Sequence, residues 1–178
     1  MRITPATREA LDAEGQAVYD EVLGSRGKII GPFLVLLNAP RLAVHVSRLG
    51  HQLRFEGALP DPDRELAIIA TAREFEAKFE WFVHEALARK VGTSAAAIEA
   101  VRTQGSTEGL SRRERVLIEV PRAIVRRHQM EPELHAEATE ELGAALLLEL
   151  ITLVGFYQLI GTVLNAYDVE PPEGATSF

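Results

Sequence analysis

Cysteine is absent from all 178 residues. Disulfides, thiolate nucleophiles, zinc–thiolate centres and cysteine redox chemistry are therefore excluded. Runs of lysine or arginine are also missing, and the net charge of −7 argues against nucleic acid as a partner. The longest basic cluster, Arg126-Arg127-His128, fits the last turn of a helix, where cations complement the dipole. The glycine-rich stretch 24–31 has no preceding strand and no Gly-Lys-Ser/Thr ending, so it is neither a Walker loop nor a dinucleotide fingerprint. Met1-Arg-Ile-Thr-Pro5 contains no apolar core, which gives no signal-peptide signature and a cytoplasmic expectation.

Two-residue alternation is rare; apolar residues recur at three and four instead. The chain reads as all-α, and 47% hydrophobic content suits one globular domain over 1–178. A first helix is expected over Thr7–Leu23, ending at Gly24, then a short segment from Pro32. Asn38-Ala-Pro40 opens a helix carrying Leu42, Val46, Leu49 and Leu53 to Gly57. Asp61-Pro62 opens another through Arg73, followed by a helix ending before Gly92. Thr93 or Ser94 caps a short helix with Ile98 and Val101, and 104–109 is a loop. Ser111-Arg-Arg-Glu114 is a capping box for a helix to Gln129, with a kink or break expected at Pro121. Arg64-Glu65-Leu-Ala-Ile-Ile and Arg113-Glu114-Arg-Val-Leu-Ile form a faint internal echo. Glu131-Pro132 starts a helix to Gly143, and an apolar helix over 144–164 follows. That segment is long enough to span a bilayer. Glu149 and Gln158 interrupt it and no cation flanks it, so a core helix buried on all sides, and no membrane partner, is expected. The tail from Val169 is expected to leave the core, mobile or resting on a partner subunit.

Chemistry concentrates in Glu76-Ala-Lys-Phe-Glu80-Trp-Phe-Val-His84. At 100° per residue, Ala77, Glu80, Val83, His84, Leu87, Ala88 and Val91 share one side, with Lys78, Glu85 and Arg89 opposite. A carboxylate and an imidazole thus point inward at contact spacing. Burying either unpaired costs several kcal/mol or so. Glu65 joins them, sharing a helix face with Ile68, Ile69 and Ala72. A carboxylate raises an imidazole pKa while desolvation lowers it, and a ring between these tendencies suits general acid/base work. The plainer alternative is a satisfied core histidine. Carboxylates and imidazole also bind metals, but only one histidine clearly faces inward and no Glu-x-x-His motif exists, so neither metal nor cofactor is expected. Arg73, Trp81 and Tyr157 are the candidate substrate contacts. For Arg73 a salt bridge to Glu74 or Glu76 is the competing reading, and for Tyr157 a hydrogen bond within the core. Arg54 and Asn165 are weaker candidates, His45 lies near the inward stripe of the helix from Pro40 with His51 further along it, and His128 and His135 read as solvated.

At Arg64-Glu65-Leu-Ala-Ile-Ile, Phe79-Glu80-Trp81-Phe-Val-His84 and Leu153-Val-Gly-Phe-Tyr157, the chain resembles the carboxymuconolactone decarboxylase family of the alkylhydroperoxidase-like superfamily. The peroxidase branch carries Glu-x11-Cys-x2-Cys-x3-His; here the register reads Glu65-x11-Ala77-x2-Glu80-x3-His84. The resemblance covers about residues 40–170, leaving 1–39 as a helical extension. It implies a compact multi-helix fold, a homo-oligomer (commonly a trimer or hexamer) and a cofactor-free pocket lined by the Glu/His helix. Family decarboxylases act on γ-carboxymuconolactone in aromatic compound catabolism. With both cysteines replaced, a cysteine-based peroxidase is rejected. The expectation is a cofactor-independent lyase or isomerase acting on a small acid or lactone. His84 moves the proton, Glu80 orients or charges it, and Glu65 supports the pair. The alternative is a non-catalytic oligomeric binding protein with Glu80 and His84 as a buried brace.

Overall fold

The computed structural model describes residues 1–175 and Phe178. Among the described residues every regular element is helical. The chain divides into two compact units, one of residues 1–57 with 162–170, the other of 58–161 with 171–178.

In the first unit α1 (Ala13–Arg26) packs on α3 (Pro40–His51), with α2 (Pro32–Leu36) between them in sequence. Proline sits at the first position of α2 and α3, where its missing N–H has no intrahelical role. The first helix starts later than its sequence suggests. Asp12 caps it, its carboxylate accepting the Gly15 N–H at 2.8 Å, and residues 8–10 form only a 3-10 turn. It also ends later, at Gly27, which adopts φ 73°. Arg41 and Arg48 of α3 fork onto Glu14 and Glu21 of α1. Val22, Phe33, Leu37 and Val46 are buried, whereas Leu42 and Leu49 face outward. A π-helical turn, Gln52–Glu56, continues α3 to Gly57.

The second unit is built around α4 (Asp61–Glu74), which packs on α5 (Lys78–Lys90), α6 (Ala95–Arg102) and α7 (Arg112–Arg127). Every α4 residue from Arg64 to Ala72 is buried, the signature of a helix surrounded by protein. Ser94 caps α6, and the Ser111/Glu114 capping box opens α7. Pro121 does not break α7. It lies on the buried face with Val120 and Ala123, so packing offsets the ladder bond it removes.

The last helix, α8 (Pro132–Ala166), changes course at Gly143, whose φ of 77° and ψ of 159° belong to glycine alone. By length and composition α8 could cross a membrane. Its second segment is not buried on all sides, however. Leu147, Leu150, Leu153, Val154, Phe156, Tyr157 and Ile160 face the core, while Leu148 is 65% and Leu159 42% exposed. Glu149 accounts for its own presence in this apolar run: its carboxylate accepts the N–H groups of Ala58 and Leu59 at 3.0 and 2.9 Å. Those two donors lie just before Pro60, the N-cap of α4, so Glu149 anchors the entry to the central helix. The tail also departs from expectation, since Phe178 packs on Trp81 of its own chain.

Candidate active site

A tight reversal places α5 against α4. Glu76 takes φ 52°, the Ala77 N–H reaches back to the Ala72 carbonyl, and α5 begins at Lys78. Ala77 is fully buried against Gly161 of α8, where an added Cβ would lie 3.3 Å from the Ala77 Cβ and 2.7 Å from the Phe75 ring. Glycine at 161 is thus required for close approach of α8.

This packing brings four polar side chains together. Glu65 (3% exposed), Glu80 (5%), His84 (2%) and Tyr157 (3%) come from α4, α5 and α8. The His84 Nδ1 lies 2.6 Å from Glu65 Oε2. Its Nε2 lies 3.3 Å from Glu80 Oε2 and 3.2 Å from the Tyr157 hydroxyl. The Tyr157 ring meets the imidazole edge to face at 5.1 Å. The charge on the imidazole follows from these neighbours. Burial alone pushes its pKa down, but hydrogen bonds to Glu65 and then Glu80, reinforced by their charges, outweigh it. The result lies above the ordinary value of 6.5. The protonated ring donates from Nδ1 to Glu65 and from Nε2 toward Glu80 and Tyr157. Arg64 adds a second positive charge, its Nε 3.8 Å from Glu65 Oε1. Arg64 is shared, since its Nη2 also donates to Asp61 at 2.8 Å.

The sequence reading brought Glu65, Glu80 and His84 to one place, and the structure does the same with a different division of contacts. Glu65, expected as outer support, holds the ring through its shortest contact; Glu80 occupies the opposite nitrogen. The inward face of α5 is Glu80, Trp81, His84 and Ala88, with Val83, Leu87 and Val91 only half-buried. Glu85 is not on a solvated face: its carboxylate accepts from Arg89 and Arg102. Tyr157 forms the internal hydrogen bond that was its competing reading.

Arg73 and Trp81 lie elsewhere, in a second cluster. Arg73 makes neither expected salt bridge, because Glu74 is taken by Arg122 and Arg126. Its Nε donates to the Arg102 carbonyl at 2.9 Å, and its guanidinium lies 4.2 Å over the Phe178 ring. Phe178 meets Trp81 edge to face at 5.7 Å, and Arg102 lies 5.6 Å from the Trp81 ring centre. Reasoning from sequence missed Arg64, Arg102 and Phe178. The Arg64-Glu65 dipeptide signalled the first; nothing local signals the other two. Among the described residues, no group of three His, Asp or Glu is arranged to hold a metal ion.

No family model matches the chain, and no curated protein is significantly similar to it. Solved structures do match. One is described as an alkylhydroperoxidase AhpD core, an uncharacterized peroxidase-related protein from Ralstonia eutropha JMP134. It shares 16% identity at a TM-score of 0.79, over 97% of this chain and 92% of that one. A likeness at this identity carries the fold and nothing finer: the chain has the all-α, alkylhydroperoxidase-like fold.

Proposed function

We propose that this protein is a cofactor-independent lyase or isomerase acting on a small carboxylated or lactone substrate. His84 is the proton donor and acceptor. The observation that carries this reading is the contact of His84 Nδ1 with Glu65 at 2.6 Å, which holds the ring and favours its charged form while Nε2 faces Tyr157 and Glu80. In a decarboxylation the carbon–carboxylate bond breaks, its electron pair stays on the substrate as an enolate, and carbon dioxide leaves. The Nε2 proton then passes to that carbon, and solvent restores it. The positive ring stabilises the developing anion in a site of low dielectric. Substrate reaches Nε2 only if Tyr157 or Glu80 releases its contact, because all four groups are buried. The test is a thermal-shift screen of acids and lactones from aromatic breakdown, followed by turnover assays on the hits with wild type and His84→Gln. Turnover lost in a folded His84→Gln supports the assignment; unchanged turnover overturns it.

The same burial favours one other reading, a non-catalytic binding protein in which Glu65, Glu80 and His84 brace α4 against α5. That reading expects His84→Ala to lower the melting temperature markedly and no acid or lactone to raise it. Self-association, into a trimer or hexamer, is part of either proposal. The outward row of Ala145, Leu148, Thr152, Gly155 and Leu159 recurs at three and four along α8, and a contiguous apolar patch of that kind marks an association surface. Leu148→Glu is expected to yield a smaller species in sedimentation; an unchanged mass removes this face from the proposal.

A further inference from the structure

The second cluster is arranged as a ligand site already filled by the chain itself. Among the described residues Arg73 donates one hydrogen bond, from Nε to the Arg102 carbonyl at 2.9 Å. Its guanidinium covers the Phe178 ring at 4.2 Å, and the same ring meets the Trp81 indole edge to face at 5.7 Å. Trp81 has Arg102 near it as well, so the indole is set by neighbours other than Phe178. The two terminal nitrogens of Arg73 make no hydrogen bond to any described residue. An aromatic ring with a short acidic arm would satisfy every element: ring against Trp81, face under the guanidinium, carboxylate on the terminal nitrogens.

We infer that Arg73 and Trp81 form a binding site for aromatic carboxylic acids, and that Phe178 is a tethered occupant competing for it. A tethered group is present at an effective concentration of about millimolar, so a free acid must outcompete it. This goes beyond the proposed function, since Arg73 and Trp81 belong to a cluster apart from His84. It does not depend on chemistry at His84.

Trp81 is the single tryptophan of the chain, so its fluorescence reports this site alone. The experiment titrates phenylacetate and cyclohexylacetate into the full chain, Phe178→Ala, Phe178→Leu and Phe178→Ala/Arg73→Met. Phenylacetate is expected to bind Phe178→Ala at least about tenfold more tightly than wild type. Cyclohexylacetate, with equal charge and no π system, should bind it about tenfold more weakly than phenylacetate, and Arg73→Met should abolish the response. Phe178→Leu keeps an apolar side chain in place if the alanine variant unfolds; it too is expected to bind phenylacetate more tightly than wild type. Equal affinity in wild type and a folded Phe178 variant overturns the competition. Equal affinity for the two acids overturns the aromatic site. Because the readout is binding, His84→Gln should give the wild-type curves even if its turnover proves unaffected.

Discussion

Two arginine–glutamate pairs open helices in nearly the same words, Arg64-Glu65-Leu-Ala-Ile-Ile on α4 and Arg113-Glu114-Arg-Val-Leu-Ile on α7, yet the two glutamates meet opposite fates. Glu114 stands at the third position of α7, where its carboxylate accepts from the Ser111 N–H and hydroxyl and from the Ser94 hydroxyl. It is half-buried, and it binds the starts of two helices. Glu65 stands two positions further into its helix, beyond the reach of the cap, on a face enclosed by other helices. It is buried, and its partner is the His84 imidazole. Position relative to the helix start, not the dipeptide, decides which role results. The third position of α4 is filled by Asp63, which pairs with Arg113 and so ties the two helices together.

The largest effect is expected at Glu65. Glu65→Ala leaves a buried charged ring without its principal partner and should destabilise the protein by about 3–5 kcal/mol in urea unfolding. Gly161→Ala comes next, about 1–3 kcal/mol, because the new methyl would lie 2.7 Å from the Phe75 ring beneath the start of α5. Glu114→Ala should be milder, about 1 kcal/mol, since it removes a half-buried cap and leaves no buried charge unpaired. A loss at Glu114 equal to that at Glu65 would erase the distinction between the two sites.

Their pH dependences should also oppose one another. His84 has a folded pKa above 6.5, so its contribution is complete below pH 6.5 and fades as pH rises through the folded value. The Ser94 hydrogen bond, opposed by partial burial and helped by Ser111, holds Glu114 below its ordinary 4.5. Its contribution is complete above pH 4.5 and fades as pH falls through the folded value. Melting temperatures across pH should therefore show a flattened alkaline limb in His84→Gln and a flattened acid limb in Glu114→Gln. The reverse pattern would refute both assignments.

Much of this arrangement could be read from residues. Proline in the first turn marked α2, α3, α4 and α8, and the capping box marked α7, because each supplies what a helix start requires locally. The inward placement of Glu65, Glu80 and His84 followed from helical period alone. Which carboxylate would take which ring nitrogen did not, since that depends on how far apart two helices pack. The start of α1 is set by the Asp12 cap rather than by Thr7, five residues upstream. The exposed side of α8 was hidden because apolar residues there face outward as well as inward. Phe178 on Trp81, nearly a hundred residues apart in sequence, leaves no local trace.

The central claim, that Glu65 keeps His84 charged and oriented, is tested most directly by NMR titration of the His84 ring nitrogens in wild type and Glu65→Gln. The expected result is a wild-type pKa above 6.5 with Nδ1 protonated, falling on substitution of Glu65. A wild-type ring that titrates at or below 6.5, or one indifferent to Glu65→Gln, would contradict it.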